Sequence, residues 1–162
     1  MDIQVVPLTD SDRDQLAGVI STGRSPLVVT PFQTYDIQSL NGFAARDGDL
    51  VVGMSTYAIE GFRCEIVTLD AFGEGHGVGT ALVDAIQAFA VQQACLFTTN
   101  HNLRAQHFYR RRVFRVRAFY PDGMDAVRKI KPEVPITGNH GIPLRDMIEF
   151  EMDLRSGACR TP

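Results

Sequence analysis

From residue 78 onward, apolar side chains recur at Val78, Ala81, Leu82, Ala85, Ile86, Phe89 and Ala90. Those offsets of three and four residues trace one face of an amphipathic helix. Upstream the period changes to that of strands. Leu50–Ile59 is rich in Val, Thr, Tyr and Ile, which suit a pleated surface. Gly42–Arg46 before it and Arg63–Ala71 after it read as its neighbours. Asp47-Gly48 and Glu60-Gly61 are turn pairs, so the three segments form an antiparallel meander. At the N-terminus, Ile3–Leu8 predicts a short strand. Thr9 then opens a helix with Asp10, Asp12 and Asp14 near its positive end and Leu16, Val19 and Ile20 as its apolar stripe. Residues 21–41, with Gly23, Pro26 and Pro31, read as irregular with one short helix.

Downstream, Ala94–Thr99 predicts a short buried strand. Asn102 sits at an N-cap position, ahead of Ala105, Phe108 and Tyr109 at helical spacing. Phe114–Tyr120 and Ile148–Leu154 read as the last two strands. Between them, residues 121–147 hold four prolines and three glycines, with room for one helix near Met124–Ile130. The tail from Arg155 is expected to fray. Strand, helix, meander, helix, strand, helix, strand, strand is an α+β (mixed α/β) order, a sheet with helices on its faces.

Composition narrows the class further. A chain of 162 residues fits one domain, 1–162, and 44% hydrophobic residues suffice for a core without staples. The net charge of −3 speaks against nucleic acid or an anionic membrane as partner. No apolar run is long enough to span a bilayer, and Met1-Asp2-Ile3-Gln4 does not open a secretory signal. Cys64, Cys95 and Cys159 are scattered, as reduced cytoplasmic thiols are. His76, His101, His107 and His140 lack the pairing of a zinc site, so no metal is expected.

The candidate chemistry lies at Phe72-Gly73-Glu74-Gly75-His76-Gly77-Val78-Gly79, between a strand and the long helix. Glycines let backbone N–H groups approach a ligand, and a helix N-terminus adds unpaired donors and a positive dipole end. A phosphate or pyrophosphate fits such a turn. No Lys follows as a P-loop requires, and a dinucleotide fingerprint fails at its third glycine.

On these residues the chain resembles the GNAT superfamily of acetyl-CoA-dependent N-acetyltransferases. Their pyrophosphate loop, Gln/Arg-x-x-Gly-x-Gly/Ala, is matched by Glu74-Gly75-His76-Gly77-Val78-Gly79. A second family pattern, Asn-x-x-Ala-x-x-Phe/Leu-Tyr followed by Gly-Phe, is matched by Asn102 through Tyr109 and by Val113-Phe114. Glu74 stands where the family has Gln or Arg, and Val113 where it has Gly. A left-handed residue there is unfavourable for a β-branched side chain, so this turn is expected to be strained or differently shaped. The resemblance implies a central mixed, mostly antiparallel sheet flanked by helices. It implies acetyl-CoA as co-substrate, bound by Gly75, His76, Gly77, Val78, Gly79 and Thr80, with the backbones of Val67 and Leu69 on the pantetheine arm and Asn102 also in contact. Relatives often dimerise through their last strands, so a homodimer is one candidate assembly.

Acetyl transfer to an amine needs a neutral nucleophile. An alkylamine with a pKa near 10.4 is mostly protonated at pH 7, a handicap of roughly 4–5 kcal/mol. A base is therefore expected, together with an acid for the leaving thiolate. The resemblance points to Glu65 as base and Tyr109 as acid, with Phe108 as the core residue of the aromatic pair. Alternation puts Arg63, Glu65, Val67 and Leu69 on one strand face. Glu65 also reads as a plain salt-bridged strand residue, and Asn102 as a plain N-cap. Residues 101–117 carry six arginines and no acid, read as a solvated face, as contacts to coenzyme phosphates or as a nucleic-acid surface. The amine acceptor is not legible, and residues 121–147 are expected to wall its pocket. The rival to an enzyme is a module of the same fold that holds acetyl-CoA without turnover.

Overall fold

The computed structural model describes residues 2–20, 25–73, 75–90 and 92–155, with residues 16–20 as backbone alone. The N-terminal alternation forms β1 (Ile3–Pro7), and Thr9 opens α1 (Asp10–Ile20). Two short strands follow, β2 (Leu27–Val29) and β3 (Thr34–Asp36), then β4 (Asn41–Asp47), β5 (Leu50–Glu60) and β6 (Arg63–Ala71). The glycine turn leads into α2 (Val78–Phe89), β7 (Gln93–Thr99) and α3 (Leu103–Arg110). After β8 (Arg115–Tyr120) come α4 (Gly123–Ile130), a 3₁₀ turn at Asn139–Gly141 and β9 (Met147–Asp153). Helices interspersed among mostly antiparallel strands make the class α+β, as expected. The helix expected within 21–41 is absent among its described residues. There the Thr30 amide donates to the Gln33 carbonyl, and the Thr30 hydroxyl braces the same turn, so the chain reverses between two strands instead. Leu16, Val19 and Ile20 as a side-chain stripe, Gly23, Glu74, Cys159 and the tail beyond Arg155 lie outside what is described.

Contacts divide the chain into two units, residues 1–28, 35–94 and 154–162, and residues 29–34 and 95–153. In the first, β1, β4, β5 and β6 pair antiparallel in that order. Their two faces are apolar in different ways. Ala45 and Val52 meet Val78 and Leu82 of α2, with Val5, Phe43 and Leu69 around them. Gly53 lets this helix lie close, since a Cβ there would stand 2.5 Å from Val78 Cγ1. Ala44, Val51 and Met54 pack on the opposite face with Val6, Leu8 and Phe72.

The acids that start α1 do more than complement its dipole. Asp12 is 2% exposed. Its carboxylate accepts from the Thr9 amide at 2.8 Å and the Thr9 hydroxyl at 2.6 Å, while its own amide donates back to Thr9 Oγ1. This is a capping box with aspartate at its third position. Arg46 Nε of β4 donates to the other oxygen at 3.0 Å. Burial raises the Asp12 carboxyl, but the Thr9 bonds and the Arg46 guanidinium outweigh it and hold it below the usual carboxylate value. A depressed carboxyl contributes stability that is present above its unfolded value, near 3.9, and is lost as pH falls through the folded value. Asp12→Asn is therefore expected to cost about 2 kcal/mol at pH 7. The cost should shrink below about pH 4, which melting curves across pH measure.

In the second unit the order is β7-β9-β8, with β8 and β9 antiparallel. Met124 and Val127 of α4 join Val29, Leu144 and Met147 in a core against Phe97, Tyr120 and Val134. Arg128 donates to the carbonyls of Val134, Pro135 and Leu144, which ties the segment after α4 back onto that helix. Leu144 N to Ile136 O and Gly138 N to Ile142 O close a small hairpin there.

Helix α3 ends as a Schellman turn. The Phe114 amide donates to Tyr109 O at 3.2 Å and the Val113 amide to Arg110 O at 3.3 Å, with Val113 at φ 67°. Phe114 and Tyr109 make the ring contact such turns carry, at 5.6 Å. The expected strain is thus present at Val113, which is 81% exposed and has little packing to lose. Val113→Gly should raise stability by about 1 kcal/mol. A rise in melting temperature of about 2–4 °C would register it.

Candidate active site

Within the first unit, the strand–turn–helix junction is built as the sequence suggests. Gly75 and Gly77 adopt φ 80° and 77°, open to glycine and strained for other residues. A Cβ at either position would touch nothing within 4 Å, so backbone shape rather than packing calls for glycine here. Gly77 is the N-cap of α2 and offers no side chain to its first turn. The Ala81 amide is the one that reaches back to Gly77 O. The helix start thus presents the Val78–Gly79 end of its backbone, where first-turn N–H groups lack helical acceptors. His76 and Gly77 are exposed, and Val78 is buried at 2% as the anchor of the helix on the sheet. Exposed glycine backbone at the N-terminus of a twelve-residue helix is a place where anions are favoured.

Strand β6, which leads into this turn, departs from simple alternation. Thr68 pairs with Thr56 and Ile66 with Tyr57, so the register skips Val67 and makes it a β-bulge. Glu65 stands opposite Ala58, and Leu69 opposite Ser55. Paired residues share a face. Glu65 therefore lies with Ala58, Thr56, Thr68 and Asp70, on the Met54 side, and Leu69 packs on the α2 side. The shared face expected for Glu65 and Leu69 is corrected: one inserted residue flips the phase of everything beyond it. The Thr56–Thr68 hydroxyl contact at 2.8 Å marks the Glu65 face.

Glu65 is 7% exposed, and Tyr35 of β3 donates its hydroxyl to Glu65 Oε2 at 2.9 Å. Nothing in local sequence pattern pointed to Tyr35, thirty positions away.

In the second unit, Tyr109 is 8% exposed and Phe108 is half-buried, so the expected core assignment reverses. Tyr109 meets the rings of Phe108, Phe114 and Phe150 at 5.2, 5.6 and 6.1 Å. Phe108 instead carries the Arg112 guanidinium over its face at 3.6 Å. The Asn102 side-chain oxygen accepts from the Ala105 amide at 3.1 Å, so its capping role is real. Several arginines of the basic segment have protein partners. Arg115 pairs with Glu151, and Arg117 with Glu149 and Glu151. Arg117 is the extra residue of a bulge in β8, between Val116 and Ala118, which brings it within reach of both carboxylates of β9.

Two further features escaped the sequence reading. Glu149, 1% exposed, accepts from the Tyr120 hydroxyl at 2.6 Å as well as from Arg117. Tyr120 and Phe97 in turn brace Phe32 edge-on at 5.6 and 5.9 Å, although Phe32 is 64% exposed. His101 bonds Thr99 Oγ1 through Nδ1, and burial lowers its pKa. Gly138 of the hairpin lies against its ring. No helix among the described residues is long and apolar enough to cross a membrane.

Residues 13–114 match the acetyltransferase (GNAT) family. An uncharacterized Bacillus subtilis protein, YdhI, is 39% identical over 68% of this chain and 72% of its own length. A second from the same organism, YxbD, also uncharacterized, is 34% identical over 81% of this chain and 86% of its own. The crystal structure of a GNAT family acetyltransferase from Elizabethkingia anophelis with acetyl-CoA bound has the same fold, with a TM-score of 0.69 at 18% identity over 93% of this chain and 97% of that one. Because the family match spans well over half of its length, and a relative more than 30% identical extends it across four-fifths, the chain belongs to the acetyltransferase (GNAT) family.

Proposed function

We propose that this protein transfers the acetyl group of acetyl-CoA to a primary amine by direct attack, without a covalent enzyme intermediate. The observation that carries the reading is the glycine turn at the start of α2, whose left-handed Gly75 and Gly77 leave backbone open to a diphosphate. A member of the family with this fold binds acetyl-CoA, which supports the same co-substrate here. The bulge at Val67 interrupts strand pairing just before that turn, and Val67 and Leu69 are the backbone positions assigned to the pantetheine arm. His76, Val78, Gly79, Thr80 and Asn102 complete the coenzyme contacts in this reading.

The chemistry follows from what the acceptor lacks. An ammonium group cannot attack, so Glu65 takes its proton, directly or through water. The neutral nitrogen then adds to the thioester carbonyl carbon. The C–N bond forms, the C–S bond breaks, and the sulfur leaves with the proton of the Tyr109 hydroxyl; the second proton, which the nitrogen sheds on becoming an amide, returns to the Tyr109 oxygen through water. Backbone N–H groups stabilise the oxyanion between these events. The segment 121–147, which holds α4 and its hairpin, sets acceptor preference in this reading.

Thiol release from acetyl-CoA, measured across a panel of spermidine, lysine, tyramine and N-terminal alanyl and seryl peptides, tests the reading. Turnover of at least one amine supports it. Tight coenzyme binding with no turnover of any of them would instead favour the binding module.

A further inference from the structure

We infer that Tyr35 is a positioning residue for Glu65, an element of the active site contributed from a different part of the chain. The inference rests on Glu65 being the base. The geometry has two halves. On one side, Tyr35 is the single buried residue of β3, between exposed Thr34 and Asp36, and its hydroxyl donates to Glu65 Oε2 at 2.9 Å. On the other side, the backbone that follows Tyr35 is held firmly. The Ile37 amide donates to Pro26 O at 3.0 Å. Arg13 of α1 donates to Ile37 O at 2.9 Å and also to Leu40 O. Asp36 accepts from the Gln38 amide, and its carbonyl accepts from Ser39. The phenol is thus the end of a braced arm rather than a mobile surface group.

A glutamate side chain carries three rotatable bonds, and a general base works only within about 2.6–3.2 Å of the proton it takes. The bulge at Val67 already sets which face of β6 Glu65 occupies. The Tyr35 bond adds an orientation to that placement. It fixes one oxygen and thereby aims the carboxylate plane. Tyr35 touches neither the acceptor nor the thioester in this scheme and acts through Glu65.

The experiment is a double-mutant cycle of Tyr35→Phe and Glu65→Gln in the full chain. Steady-state kinetics use acetyl-CoA with the panel amine that wild type turns over fastest, and each variant's melting temperature is recorded. Tyr35→Phe keeps the ring and its packing, so folding is expected to survive. The expected result is a fall in kcat of about 10–10²-fold with KM for acetyl-CoA unchanged. In the Glu65→Gln background, Tyr35→Phe should lower kcat no further, because the group it aims is gone. Multiplying losses would mean independent roles and overturn the proposal. So would wild-type kcat in Tyr35→Phe alongside a large loss in Glu65→Gln. A fall in kcat matched by a collapse in melting temperature and restored on cooling would show a structural role and also overturn it. Wild-type kcat in Glu65→Gln would remove the base assignment itself, and the positioning role with it. Absence of turnover by wild type on every panel amine would do the same by removing the proposed reaction.

Discussion

Gly77→Asp is expected to weaken acetyl-CoA binding by at least about 10²-fold in calorimetry, while the protein stays folded. Two effects act together. The residue sits at φ 77°, where any side chain is strained, at a cost of about 1–2 kcal/mol. A carboxylate there also enters the space that is now open beside the backbone, against a doubly charged pyrophosphate. At an effective dielectric near 20, two like charges about 4 Å apart repel by about 4 kcal/mol, so the electrostatic part dominates. Aspartate is a favoured helix N-cap, and Gly77 occupies that position, which limits the damage to α2. Gly77→Asn separates the parts, since it carries the shape without the charge. It should retain much of the affinity that aspartate loses. Equal coenzyme affinity in wild type and Gly77→Asp would show that the coenzyme binds elsewhere.

Tyr109→Phe is the second large effect. The ring is buried against Phe114 and Phe150, and a phenylalanine ring in its place would keep those contacts. Only the hydroxyl is lost. If that hydroxyl protonates the leaving sulfur, kcat should fall by about 10²–10⁴-fold, with coenzyme affinity and melting temperature nearly unchanged. A phenol with a pKa near 10 is protonated at neutral pH, and its phenolate is more basic than a thiolate near 8.5, so it stabilises the sulfur by hydrogen bonding without strong driving force for full transfer. If the hydroxyl serves packing alone, stability should drop by about 1 kcal/mol and kcat should hold. The Schellman turn makes this a clean test, because Tyr109 is held by backbone bonds that the substitution leaves in place. Unchanged kcat would exclude Tyr109 as the acid.

Short-range pattern alone determined much of this protein. The i, i+3, i+4 repeat from Val78 located α2, and the alternating segments bounded by Asp47-Gly48 and Glu60-Gly61 located the meander. Helical period and turn chemistry depend on residues within a few positions of each other, so they are written locally. The glycine turn belongs with them, since only glycine takes the φ of Gly75 and Gly77 without strain. The strain at Val113 was legible for the same reason.

Tertiary structure decided what depends on pairing. Which face Glu65 occupies follows from the bulge at Val67, and a bulge exists only relative to the register of the partner strand. Whether Phe108 or Tyr109 is buried turned on a rotation of less than a third of a helical turn's arc, which only packing against Phe114 and Phe150 resolves. The turn at Thr30 replaced an expected helix because a side-chain hydroxyl there competes for backbone partners. Asp12 read as a dipole residue until Arg46, thirty-four positions away, came into reach. Tyr35 met Glu65 across thirty positions. No periodicity encodes a contact between two distant polar side chains, because its geometry is set by the folding of everything between them.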